Sequence, residues 1–170
     1  MEKLKEDLKI SKNNIGNSGE YYIASRLSAE DFIVTITLGR AERYDIIAVN
    51  SSGKTFKISV KTRFKADVKR FPLSEKDERG ASGDFFYAFV MLNEFKKEPD
   101  FWIIPSSVVT KILYESHIDY VENPGKNGQK RKDTGMRNLW MINNTHTKKI
   151  YPKNWEIELL SFYRNMKQLK

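Results

Sequence analysis

The chain of 170 residues contains no cysteine, which excludes disulfides and thiolate zinc sites alike. Its two histidines, His117 and His146, stand far apart without metal-motif spacing, so a histidine-built metal centre is excluded too. Long apolar runs are also missing: nothing approaches the roughly 20 consecutive apolar residues of a membrane span. The opening MEKLKEDLKI is charged at nearly every other position and lacks the apolar centre of a secretory leader. A cytoplasmic location is therefore the expectation. Hard-metal chemistry through carboxylate oxygens is left open by all of these absences.

What is present is enough for a core. Hydrophobic residues make up 39% of the chain and aromatic residues 12%, and a chain of this length reads as one domain, 1–170, rather than two. Lys and Arg number 30 against 22 Asp and Glu, a net charge of +8. Such a balance favours a polyanionic partner, nucleic acid or an anionic membrane surface.

Leu4 and Leu8 among charges suit a short helix or arm within residues 1–14. A second helix should be capped by Asn17 or Ser18 and run to about Glu30, with Ile23, Ala24 and Leu27 on its apolar face. Strands are expected at 32–38, 44–49 and 55–62, all rich in β-branched and aromatic residues, and the last two flank the polar turn NSSGK as an antiparallel hairpin. Residues 85–92 read as a strand buried on both faces and 101–105 as another, ended by Pro105. A helix from Ser106 or Ser107 to about Tyr114 follows, then a glycine-rich basic loop at 123–137. A closing helix over 155–170 carries Trp155, Leu159, Phe162 and Met166 on one side. The order predicts an α/β fold of the mixed α+β kind, a central mixed sheet of about five strands flanked by helices.

Two charged side chains interrupt the hairpin strands. With the turn centred near Ser52, Asp45 lies opposite Ser59, and Lys61 follows two residues along on the same face. Glu20 sits on the apolar stripe of its helix, three, four and seven residues before Ile23, Ala24 and Leu27, and so points toward the sheet. Two carboxylates converging with a lysine suit a hard divalent cation, Mg²⁺ or Mn²⁺, and hydrolysis of a phosphodiester. Each residue also has a plain structural role: Lys61 in a buried salt bridge, Glu20 at an exposed helix start, Asp45 capping a turn.

A Glu on the first helix, an Asp opening a strand and an acid-x-Lys on the next strand of a hairpin resembles the PD-(D/E)xK nuclease superfamily, which includes type II restriction endonucleases and archaeal Holliday junction resolvases. The matching pieces are IGNSGEYYIASRL with Glu20, YDIIAV with Asp45, and ISVKT with Ser59 and Lys61. The resemblance spans about 15–105 as the motif-bearing core, leaving 106–170 as helices and basic loop. It implies a restriction endonuclease-like core and a metal-dependent endonuclease acting on DNA. Glu20, Asp45, Ser59 and Lys61 would form the catalytic set. Metal contacts would come from Asp45, Glu20, the Val60 carbonyl and, through water, Ser59.

Two departures stand out. Tyr44 replaces the proline that names the family, where no ligand is supplied. Ser59 replaces the usual acid or glutamine, and its neutral hydroxyl supplies no charge. No acid occurs between Asp45 and Asp67 to take over, leaving Glu42 as an outside contributor.

Around this constellation lie phosphate-contact candidates: Lys57, Arg63, Lys65, Lys69 and Arg70 beside the hairpin, then Lys126, Lys130, Arg131, Lys132 and Arg137 in the loop. Trp140 and Trp155 could stack on bases, with core packing as the competing role. Double-strand cutting by one small site would call for a homodimer. Two other readings fit the same residues: a nuclease-like fold that binds nucleic acid without cutting, and a protein-interaction subunit of a defence or toxin system.

Overall fold

In the computed structural model, residues 10–37, 43–65, 69–142 and 147–170 are described. The arm carrying Leu4 and Leu8, the end of the first strand at Leu38, and Glu42, Asp67 and His146 lie outside them.

The chain opens with α1 (Lys12–Ser28), which begins earlier than its sequence suggested. Ser11, not Asn17 or Ser18, is the cap, its side chain accepting the Asn14 N–H at 3.2 Å. An antiparallel meander follows: β1 (Ile33–Ile36), β2 (Ile46–Val49) and β3 (Thr55–Arg63). The β2–β3 turn is held by Asn50, whose side-chain oxygen accepts from the Ser52 and Lys54 backbone N–H groups at 3.1 and 2.9 Å. Gly53 takes the positive φ of 82° that closes it.

Two short elements then arise between the strands expected at 55–62 and 85–92, where none was expected: β4 (Arg70–Ser74) and α2 (Glu75–Glu78). They lead to β5 (Phe85–Met91), which adds parallel to β3, and β6 (Asp100–Pro105), antiparallel to β5. After α3 (Ser106–Glu122) come β7 (Met136–Trp140), α4 (Thr147–Ile150) and α5 (Trp155–Ser161). The main sheet has the order β1-β2-β3-β5-β6, and β4 and β7 form a separate antiparallel pair. The expected mixed sheet of five strands flanked by helices is thus what forms.

Strand β5 explains how the two sides are held, since all seven of its residues are buried. Phe85, Tyr87, Phe89 and Met91 point into a cluster with α3, α5, β4 and β7, while Phe86, Ala88 and Val90 point into a second cluster with α1. Each large buried side chain contributes about 1.5–3 kcal/mol, so β5 is the shared spine of both cores.

The chain end departs from the expected helix over 155–170. Helix α5 stops at Ser161; Trp155 and Leu159 belong to the α3-side cluster, whereas Met166 and Leu169 belong to the α1-side cluster. A single straight helix cannot serve both faces. The chain instead passes the outer edge of β6, where Tyr163 bridges Trp102 and the Arg164 N–H donates to the Phe101 carbonyl at 2.9 Å.

Candidate active site

The strands of the hairpin are unequal. β3 has nine residues and β2 four, so β3 runs on past the start of β2 with its β2-side edge open. Asp45 stands at that point. Its backbone N–H donates to the Ile58 carbonyl at 2.9 Å, and its own carbonyl accepts the Thr37 N–H, also at 2.9 Å. Backbone pairing on both sides therefore fixes where the Asp45 side chain starts.

The observed register, Ile46 opposite Ile58, places Asp45 opposite Ser59 as the turn and alternation required. The Asp45 carboxylate, through Oδ2, accepts the Val60 N–H at 2.6 Å and the Ser59 hydroxyl at 3.3 Å. Ser59 is buried, with 5% exposure, and pairs across the sheet with Tyr87. Lys61 is half-buried and has no ion pair among the described residues. Asp45, Ser59 and Lys61 line one open cleft of about 690 Å³. The salt bridge considered for Lys61 does not form.

The opposite wall of the cleft comes from α2 and was not anticipated. Asp77 accepts from the Ser74 N–H and hydroxyl, both at 2.8 Å, and from the Tyr87 hydroxyl at 3.1 Å. Burial first, then the Asp77 charge, pushes the Tyr87 phenol well above its ordinary range, so Tyr87 stays a neutral donor that ties α2 to β5. Lys76, Arg79 and Arg43 bring positive charge to this cleft; Arg79 pairs with Glu75, whereas Lys76 and Arg43 have no ion pair among the described residues. The signal for Arg43 was its place two residues before Asp45. Nothing in the polar run 75–80 marked Lys76 as facing a cleft.

Glu20 comes from the other layer. α1 packs on the Ile58 and Val60 side of the sheet, and Glu20 does not line the cleft. Its carboxyl is nevertheless raised above the usual range, chiefly by burial and then by the Asp45 charge. The two carboxylates sense one another past the end of β2. Gly19 makes that approach: a Cβ there would overlap the Thr62 side chain on β3, so only glycine lets α1 sit this close.

Among the described residues no group of three or more His, Asp or Glu is arranged to hold a metal. The donors that can meet at the end of β2 are the Asp45 and Glu20 carboxylates and the Val60 carbonyl, which projects toward the same edge as its own N–H.

Of the expected phosphate contacts, two are redirected. Arg137 is buried, with 6% exposure, and its guanidinium pairs with Glu78 and donates to the Met136 carbonyl; it lies inside the fold and is no surface cation. Lys57 is held by Asp84 at 2.9 Å. Arg131 lies over Tyr120, 4.3 Å from the ring centre. Lys65, Lys126, Lys130 and Lys132 are exposed, and Arg63, Lys69 and Arg70 half-buried. Trp155 is core.

No helix among the described residues is long and apolar enough to cross a membrane. No protein-family model matches the chain, and no curated protein matches it. Among solved structures it is similar to a bacterial homing endonuclease, I-Ssp6803I, at 14% identity and TM-score 0.45, covering 89% of this chain and 94% of that one. It is also similar to Hjc, a Holliday junction resolvase of Archaeoglobus fulgidus, at 14% identity and TM-score 0.44, covering 74% of this chain and 83% of that one. Likeness of this depth concerns the arrangement of sheet and helices and says nothing of substrate or reaction.

Proposed function

We propose that the protein is a metal-dependent nuclease that hydrolyses phosphodiester bonds of nucleic acid, DNA foremost, at the open end of the β2–β3 hairpin. The observation that carries this reading is the meeting of Asp45 with an unpaired Lys61 in one cleft. Both are half-buried on the cleft wall, and neither is neutralised by the other, so both charges face a ligand in the cleft.

The donor set fits a hard divalent cation: burial and then the Asp45 charge raise the cost of ionising Glu20, which a cation beside it relieves, and Mg²⁺ or Mn²⁺ takes carboxylate and carbonyl oxygens. When bound, such an ion supplies charge neutralisation at the phosphate and a lowered pKa for water. The chain's own groups do the rest. Asp45 is oriented by the Val60 N–H, which bonds Oδ2, and Oδ1 has no hydrogen bond among the described residues. Lys61 offers its ammonium to the charge that develops on the phosphate oxygens. Ser59 donates to Asp45 and adds no charge of its own. Arg43 and Lys76 on the rim bind flanking phosphates.

The test is cleavage of supercoiled plasmid and of branched and single-stranded oligonucleotides with Mg²⁺, Mn²⁺ or EDTA. Metal-dependent cutting should fall at least about 100-fold in Lys61→Ala. The neutral Ser59 favours a second reading, a nucleic-acid-binding protein that does not cut. Salt-sensitive binding by pure, folded protein with no cleavage in either metal would select it.

A further inference from the structure

A smaller concavity, of about 200 Å³, adjoins the cleft. It shares Arg43, Arg79 and Phe85 with the cleft and adds Lys57, Gly80 and Ala81 to its own wall. Of its cations, Lys57 is held by Asp84 at 2.9 Å and Arg79 pairs with Glu75. Arg43 is exposed and has no hydrogen bond or ion pair among the described residues. Its charge is therefore the one left for an anion from outside.

The chain opposite decides where Arg43 lies. A Cβ built on Gly80 would overlap Arg43 Nη2, whereas the nearest backbone atom, the Lys76 carbonyl oxygen, would be 3.6 Å away in ordinary contact. The guanidinium thus occupies the space a side chain at position 80 would take. Gly80 is not among the glycines with positive φ, so its backbone conformation does not call for glycine. Room for Arg43 is what the missing side chain provides.

The segment between α2 and β5 that carries Gly80 is anchored from behind. The Ser82 N–H donates to the Ser106 hydroxyl, which donates back to the Ser82 carbonyl, both at 3.0 Å, and Ser106 is fully buried. The backbone N–H groups of Gly80 and Ala81, by contrast, make no hydrogen bond among the described residues, although Gly80 is buried. Successive backbone N–H groups beside an unpaired guanidinium are chemistry that receives a phosphate.

We propose that this concavity is a second phosphate subsite, holding a phosphodiester of the substrate that flanks the one in the cleft, with Arg43 as its contact and Gly80 as the residue that positions Arg43. The proposal rests on the nuclease reading of the cleft and adds where the flanking phosphate sits and what keeps Arg43 there. The test is binding in EDTA, by anisotropy, of a labelled DNA duplex and of one of its single strands over a salt series, with melting temperature as the check on folding.

Arg43→Ala should weaken binding about tenfold at low salt and flatten the slope of log K against log salt by about 0.7 to 0.9, the loss of one phosphate contact. Gly80→Ala should weaken binding and flatten the slope to the same extent while melting no lower than wild type, because what its Cβ meets is the far end of a flexible side chain. Both changes together should do no more than Arg43→Ala alone. Gly83→Ala, in the same segment with open space around its Cβ, should bind as wild type.

An unchanged salt slope in Arg43→Ala, a Gly80→Ala protein that binds as wild type or melts well below it, or losses that add in the double variant would overturn the proposal, while metal-dependent cleavage by wild type would still stand for the cleft. Absence of any nucleic-acid binding by wild type would overturn the cleft reading and this one with it.

Discussion

Placing a carboxylate at position 59 tests the site where it departs most from the motif. Ser59 is 5% exposed and its hydroxyl lies 3.3 Å from Asp45 Oδ2. In Ser59→Asp a second carboxylate would stand against the first. Two like charges at about 4 Å repel by about 4 kcal/mol at an effective dielectric constant near 20. Protonating one of them relieves this. Holding an Asp neutral at pH 7 costs about 1.4 kcal/mol for each pH unit above its ordinary value near 3.9, again about 4 kcal/mol. The two routes agree, so the variant should lose about 2–4 kcal/mol in EDTA after some relaxation. For a chain of this size that is a fall in Tm of about 4–16 °C. A divalent cation at the end of β2 would reverse the sign, because the added carboxylate becomes a ligand. Thermal unfolding with EDTA and with a Mn²⁺ series should therefore show a larger metal-induced rise in Tm for the variant than for wild type. A variant as stable as wild type in EDTA would mean that positions 45 and 59 are not neighbours. Equal metal response in both proteins would refute a cation at this site.

Glu20 gives a pH signature without metal. Its pKa is raised on folding, so the protein binds that proton more tightly folded than unfolded, and stability drops as pH rises from the ordinary carboxyl value through the raised one. Glu20→Gln should consequently melt higher than wild type at pH 7 in EDTA, with the advantage vanishing below about pH 4.5; a constant difference across the range would count against the assignment. At Gly19, alanine should destabilise by about 1–3 kcal/mol through overpacking against Thr62. Gly19→Ala combined with Thr62→Ala should recover most of the loss in a denaturant titration, and simple additivity would rule the contact out.

The hairpin was legible because its register has local causes. Asn50 and Gly53 fix the turn, alternation then fixes which side chains share a face, and Asp45 and Ser59 meet as that arithmetic requires. β5 was legible from its unbroken apolar run. What escaped detection had no period to show. RFPLS and MRNLW each bury only two residues, and the first contains Pro72, which a lone two-stranded pair tolerates on its exposed row. Arg137 read as a loop cation because nothing nearby in sequence reveals its partner Glu78, which lies 59 positions earlier. The helix expected over 155–170 had the right apolar spacing, but Met166 and Leu169 serve the core on the other side of the sheet. Lys76 faces the cleft only because Tyr87 anchors α2 through Asp77, a link between elements that no single stretch contains.

The Val60 amide hydrogen lies where the next rung of the β2–β3 ladder would fall, and a side chain takes it instead of a backbone carbonyl. Asp45 thus closes the end of the sheet with a side chain where a backbone carbonyl would otherwise stand. A variant that loses the carboxylate leaves an edge amide to water and loosens the end of β3 that carries Ser59 and Lys61. Loss of this side chain would therefore be felt first as fraying of the fold, so the aspartate has a structural reason to stay whether or not the proposed cutting takes place.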